Sequence, residues 1–451
     1  ASNDIIACTF TNTRKSATLT LRKTWVNAVS GNTATVTSTG FANNATSGLS
    51  TSSGSNTTTG SAVTVYAGES GTIAETFGVG SAASYSASLA CSGNSTALAG
   101  STLTVNPADT AIVCTLTNTG VRITLAKAVG GRVRGTDQFT VSASGGGTLQ
   151  GTASATTAGT ATSASATFYS TPGVALTLAD VAAGTTALSD YDTRLTCTNA
   201  LSGTAGYTPD ASLPSNSFTT SASITPLAGD DITCTYTNTP RPRISLQKVI
   251  GAAGGRVANT DQFVLAMTGA TSVTTTGTGS SVTSAAVSLI GTAGTAITLS
   301  ESAAATTPAT SLGNYTTTYA CTNSTAGGTS IPSGSGTSVT FTPANNDVIA
   351  CTFTNTRKST TLTLRKTWVS GVSGNTATVT SSGFTNNASS GLSTNSGNNT
   401  TTGSAVTVYA GETGIIGEAY GSGTSSAAYM ASLSCSGNST ALAGSTLTIT
   451  P

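Results

Sequence analysis

Residues 1–16, ASNDIIACTFTNTRKS, return almost unchanged as ANNDVIACTFTNTRKS 343 positions later. Self-similarity on this scale points to a repeat architecture before any local propensity is considered. The next stretch repeats with it: TLTLRKTW at 18–25 recurs at 361–368, and SAVTVYAGE at 61–69 recurs at 404–412. A shorter rhythm runs inside the long one. Opening segments (LTLRK, ITLAK, ISLQK, LTLRK) place lysines at 23, 127, 248 and 366, and closing segments (IACTFTNT, IVCTLTNT, ITCTYTNT, IACTFTNT) place asparagines at 12, 118, 238 and 355. Because the two alternate, complete units are expected over 17–120, 121–240 and 241–359. Two incomplete pieces remain: 1–16, a closing strand without a body, and 360–451, a body without a closing strand.

Short runs rich in Thr, Val, Ile, Tyr and Phe alternate strictly between apolar and polar, and clusters of Gly, Ser and Asn separate them. That pattern predicts half-buried strands, and no competing 3.6-residue stripe is present. Each unit has the size of a β-sandwich, so the chain is expected to be all-β, a linear array of immunoglobulin-like sandwiches. The alternation also explains a charged fraction of only 7% without invoking disorder, because β-branched threonine suits a solvated sheet face. A net charge of +1 gives no basic field for nucleic acid. Histidine is absent, which removes the commonest general base and metal ligand; no enzyme, cofactor or metal site is expected. No apolar run is long enough to span a bilayer, and the start at Ala1 without a leader reads as a mature or excised segment.

Eight cysteines stand at 8, 91, 114, 197, 234, 321, 351 and 435, two in each complete unit. The modular spacing favours Cys91 with Cys114, Cys197 with Cys234 and Cys321 with Cys351, and structural disulfides imply an oxidising, extracellular or cell-surface location. Cys8 and Cys435 are left on the two incomplete pieces. TLTITP followed by ASNDIIACTFTNT reads much like the internal junction TLTVNPADTAIVCTLTNT, so the two pieces fit together as one domain. Two origins stay open: 1–16 of one subunit completes the last body of its neighbour, or the chain is a window of a longer tandem array. In both cases the open body would drive strand addition.

On the first opening strand, Lys23 shares a face with Leu19, Leu21 and Trp25. A buried, unpaired ammonium is costly, so partners are required. Asn118 shares the inward face of its strand with Ile112, Cys114 and Leu116; a carboxylic acid also falls inward in each body, at Glu75, Asp180, Glu301 and Glu418. Every unit thus offers one lysine, one asparagine and one acid among apolar neighbours.

This pattern resembles the Cna B-type, SpaA-like (prealbumin-like) domains of bacterial surface adhesins and pilus backbones. The resemblance implies spontaneous intramolecular isopeptide bonds joining Lys23 to Asn118 with Glu75 assisting, Lys127 to Asn238 with Asp180, and Lys248 to Asn355 with Glu301. A fourth set would be Lys366 and Glu418 with Asn12 of the adjoining segment. The second unit departs from the family's glutamate by using Asp180. The structural alternative is a buried ion pair hydrogen-bonded to asparagine; four recurrences of the same arrangement favour the covalent reading. If Asn12 and Cys8 act on a neighbour, the chain is a filament subunit whose partner is itself, a head-to-tail homopolymer. The rival reading is a repeat adhesin whose loops bind a host, glycan or ice surface.

Three weaker signals complete the reading. Asp230 with Asp231, Asn345 with Asn346 and Asp347, and Asn3 with Asp4 suggest Asx turns feeding a strand rather than a calcium cage. N-x-Ser/Thr sequons begin at Asn44, Asn56, Asn94, Asn314, Asn323, Asn387, Asn399 and Asn438, and in a chain this rich in Asn, Ser and Thr chance accounts for most of them. Trp25 and Trp368 are expected to fill the core.

Overall fold

The computed structural model describes residues 5–331 and 333–450. Among these residues the elements are strands and single turns of 3-10 helix, and no helix is long and apolar enough to cross a membrane. The chain divides into two compact units, Ala1–Pro240 and Arg241–Pro451.

In the first unit, the strand Ser16–Val26 realises the predicted alternation: Ala17, Leu19, Leu21, Lys23 and Trp25 are buried, and the residues between them face outward. One sheet runs in the order Asn56–Thr59, Ser16–Val26, Ala111–Thr119, Ser86–Ser92; the facing sheet runs Thr46–Thr51, Thr33–Thr39, Ser70–Val79, Thr102–Thr104. Leu19, Leu21, Val36, Ile73, Leu103 and Ile112 fill the space between them. A second sandwich follows, with Val121–Val129 beside Asp231–Pro240 in one sheet and Gln138–Gly145 beside Leu176–Ala183 in the other. Its separate core includes Ile123, Leu125, Phe168, Leu178 and Ile232.

The second unit repeats the plan. Arg243–Ile250 lies beside Val348–Arg357, and Phe263–Met267 beside Ile297–Ala303, around a core that includes Leu246, Leu265, Leu299 and Phe353. In all three sandwiches the opening strand runs parallel to the closing strand, while the closing strand runs antiparallel to Ser86–Ser92, Tyr191–Asn199 or Tyr315–Asn323 on its other side. On that antiparallel pair Cys91 faces Cys114, Cys197 faces Cys234 and Cys321 faces Cys351, and each pair is disulfide-bonded.

The fourth body shows what the closing strand does. Its sequence nearly duplicates the first body, yet the continuous strand Ser16–Val26 is replaced by two short ones, Ser359–Leu362 and Arg365–Trp368. Residues 430–436, the counterparts of Ser86–Ser92, form no strand. In the first body Ala111–Thr119 lies between those two segments and satisfies the backbone groups of both. Where that central strand is missing, the flanking backbone loses its ladder partners on both sides. Leu433 is 41% exposed and Met430 fully so.

Candidate functional site

The pleat turns one lysine of each opening strand into the core, where the facing sheet supplies an acid. Lys23 Nζ lies 2.9 Å from Glu75 Oε1, Lys127 Nζ 3.0 Å from Asp180 Oδ2, and Lys248 Nζ 3.3 Å from Glu301 Oε1. The closing strand brings its asparagine to the same carboxyl group. Asn118 Nδ2 donates to Glu75 at 2.9 Å, Asn238 Nδ2 to Asp180 at 2.8 Å, and Asn355 Nδ2 to Glu301 at 2.7 Å. Each acid therefore bridges the first and last strands of its sandwich. In the fourth body Lys366 Nζ meets Glu418 Oε1 at 2.6 Å, and both side chains retain some exposure. Asn12, its proposed third member, is exposed on the stretch 5–15, which carries no strand up to Lys15. Cys8 is exposed and Cys435 half-buried, and both are free thiols in this chain.

Parallel register refines the sequence reading in one respect. Facing inward does not put lysine and asparagine level with each other: Lys23 pairs with Leu116 and Asn118 with Trp25. The asparagine thus sits one inward position further along, and the long lysine side chain spans the difference.

An aromatic ring closes each pocket. Lys23 Nζ lies 4.3 Å from the Trp25 ring centre and Lys366 Nζ 4.4 Å from that of Trp368. The second and third sandwiches place the ring on a different strand: Phe139 at 4.8 Å from Lys127 and Phe263 at 5.0 Å from Lys248. Those rings rest edge-on against Tyr191 and Tyr315, whose hydroxyls donate to the buried Asp137 and Asp261. The sequence reading missed this support. The repeated TDQF at 136–139 and 260–263 was its available signal.

Burial dominates the electrostatics. Loss of hydration pushes the ammonium groups of Lys127 and Lys248 down to about 8 against the opposing pull of their acids, and it lowers Lys23 as well. The same loss raises Asp180 and Glu301. Both trends favour a neutral amine beside a neutral carboxyl group. Oδ1 of Asn118, Asn238 and Asn355 is buried without a hydrogen-bond partner, while Nδ2 sits on the proton source. A carboxamide held this way has its departing nitrogen next to the group that can protonate it.

In the described turns before the closing strands, the acid oxygens are taken up by the protein's own donors. Asp230 accepts from Thr208 N, Leu227 N and Asn199 Nδ2, and Asp347 from Thr329 N, Ala344 N and Asn323 Nδ2. Asn3 and Asp4 lie outside the described residues.

Fold and site together define tandem β-sandwiches, in three of which a lysine, an acid and an asparagine bring the first strand to the last. Residues 122–240 and 243–357, just over half of the chain, match the SpaA-type prealbumin-like fold domain, and the chain belongs to that family. Among solved structures it is similar to the major pilin from Streptococcus pyogenes, with 12% identity and a TM-score of 0.21 over 53% of this chain and 99% of that one. The Bacillus anthracis TIE protein matches at 12% identity and a TM-score of 0.26, over 87% of this chain and 55% of that chain. The pilus adhesin SpaC from Lactobacillus rhamnosus GG, in its open conformation, matches at 12% and 0.22, over 76% and 44% respectively. No curated protein sequence matches.

Proposed function

We propose that this chain is a structural subunit of an extracellular bacterial filament, joined head to tail when residues 5–13 of one copy enter the last body of the next. The observation that carries the proposal is an open groove of about 1160 Å³ in that body, lined by Leu364, Val379, Val408, Ile416, Leu447 and Ile449 together with Cys435. The near-identical first body holds Ala111–Thr119 in the corresponding place. The donor matches it: Ile6, Cys8, Phe10 and Asn12 repeat the inward positions of Ile112, Cys114, Leu116 and Asn118, and Ile6 and Phe10 are exposed in the single chain. Docking would cover apolar surface on both partners and restore two backbone ladders.

We further propose that each triple becomes a lysine–asparagine isopeptide bond. The ammonium passes a proton to the carboxylate, and the neutral amine attacks Cγ of the asparagine. The acid then relays a proton to the departing nitrogen: the Cγ–Nδ2 bond breaks, the Cγ–Nζ bond forms, and one ammonia leaves. Confinement supplies the effective molarity that makes this aminolysis feasible. Each site reacts once, so this is self-modification rather than turnover. At the junction Asn12 would bond to Lys366 beside Glu418, and Cys8 would pair with Cys435. The disulfides support an oxidising compartment.

Intact-mass measurement and boiling in detergent with reductant test both parts. The expected result is a loss of one ammonia per bonded domain and a ladder of oligomers that Asn12→Ala collapses. Unshifted masses would refute the bonds, and a chain that stays monomeric at high concentration would refute strand donation between copies.

A further inference from the structure

Strand donation alone leaves the angle between successive subunits undefined, and one joint within the second unit indicates how it is set. Arg357, at the end of the closing strand Val348–Arg357, is 8% exposed and ties two sandwiches together. Its Nε donates to Ala410 O at 2.6 Å on the fourth body, and Nη1 donates to Gly254 O at 3.2 Å and Arg256 O at 3.4 Å on the third. Beside it the 254–257 turn seats on the fourth body. Gly254 lies against the Tyr409 ring, and Gly411, at φ +80°, has room for no Cβ because Val257 Cγ1 would stand 2.4 Å away.

Arg14 occupies the equivalent place one long repeat earlier, and there only half of the joint is made. Its Nε donates to Ala67 O at 2.8 Å, its guanidinium lies 5.5 Å from the Tyr66 ring centre, and Ala67 N donates to Lys15 O as Ala410 N does to Lys358 O. Nη1 reaches Glu69 at 3.5 Å, and the side chain remains 53% exposed. Gly68, at φ +86°, keeps the left-handed bend of Gly411, yet a Cβ there would meet only Arg14 Nη2, at 3.7 Å. The seat is built and open.

The counterpart of the 254–257 turn on the fourth body is the turn at 369–374. Val372 N donates to Tyr429 Oη at 3.0 Å, as Val257 N does to Tyr315 Oη at 2.8 Å. Val369 is 76% and Val372 62% exposed. The first and fourth bodies also diverge here: Asn27-Ala28 becomes Ser370-Gly371. In the first body Asn27 Nδ2 donates to Gly229 O of the second sandwich at 2.8 Å, a bond that a serine in its place does not reproduce. The fourth body's turn is therefore altered at the residue that engages a different neighbour.

We propose that Arg14, Tyr66 and Gly68 of one copy receive the 369–374 turn of the copy whose groove holds its strand, with Val372 packed on Gly68 and turn carbonyls accepting from the terminal nitrogens of Arg14. The inference rests on the strand-donation reading and adds a second, non-covalent contact that fixes orientation. A photoreactive benzophenone amino acid replacing Val372 in the full chain tests it, with isotopically heavy and light chains mixed before assembly. The expected cross-link joins position 372 of one isotope to residues 66–69 of the other, and Arg14→Ala abolishes most of it while the boiling-resistant ladder persists. A persistent ladder with the 372 link landing elsewhere overturns the seat alone. A chain that stays monomeric at high concentration overturns the strand donation beneath it.

Discussion

Burial in a dry pocket weakens the hold of the Lys127 ammonium on its proton, and that effect is measurable in a chain where no lysine–asparagine bond can form. In Asn238→Ala the pair Lys127 and Asp180 stays unbonded. The folded ammonium titrates at about 8 and the unfolded one at its ordinary 10.5, so between those values the unfolded chain holds the extra proton. Stability of the second sandwich should therefore rise with pH across that window and be flat just below it. Calorimetry of the variant, buffer by buffer, checks the sign; adding Lys127→Met should remove the slope. A falling or flat profile in Asn238→Ala would mean that the ammonium is better solvated than its burial indicates.

Among the elements, the closing strand has the largest influence, because it is the central ladder partner of two others. Phe10→Asp would place an unpaired carboxylate where Leu116 sits in the first body, at a cost of about several kcal/mol. Such a chain should remain monomeric in sedimentation and show no ladder, while its three complete sandwiches should still each lose one ammonia. Conversely, a synthetic peptide of residues 1–16 in excess should cap the groove and shorten the polymers. Much at this scale was legible from sequence, since a period of two assigns each residue to a face: Lys23, Glu75 and Asn118 could be placed inward by counting. What counting could not give is position along the parallel ladder, because register is set by a partner about a hundred residues away. For the same reason the Phe139 and Phe263 rings were missed. They reach the lysine from the facing sheet, whereas Trp25 follows its lysine by two residues on one strand. Arg14 was equally hidden, since its role depends on a loop-to-loop contact that no local pattern encodes.

For the molecule as a whole, parallel opening and closing strands mean that the chain enters a sandwich at one pole and leaves at the other, so tension loads their shared ladder in shear. With a covalent bond across that ladder, single-molecule pulling on the full chain should show no extension steps from the first three sandwiches. Lys127→Ala should add one step, and reductant should lengthen it by the segment locked between Cys197 and Cys234. That separation is 37 residues, roughly 120–130 Å of extended chain. An unmutated chain that yields stepwise extension from each sandwich would show that the pairs remain ionic.

An isopeptide bond from Lys23 to Asn118 would also change what damage means for the proposed fibre. With that bond in place, the stretch from Thr24 to Thr117 would hang beside the taut line rather than form part of it. A protease that clips an exposed loop there would nick the subunit without parting the cable.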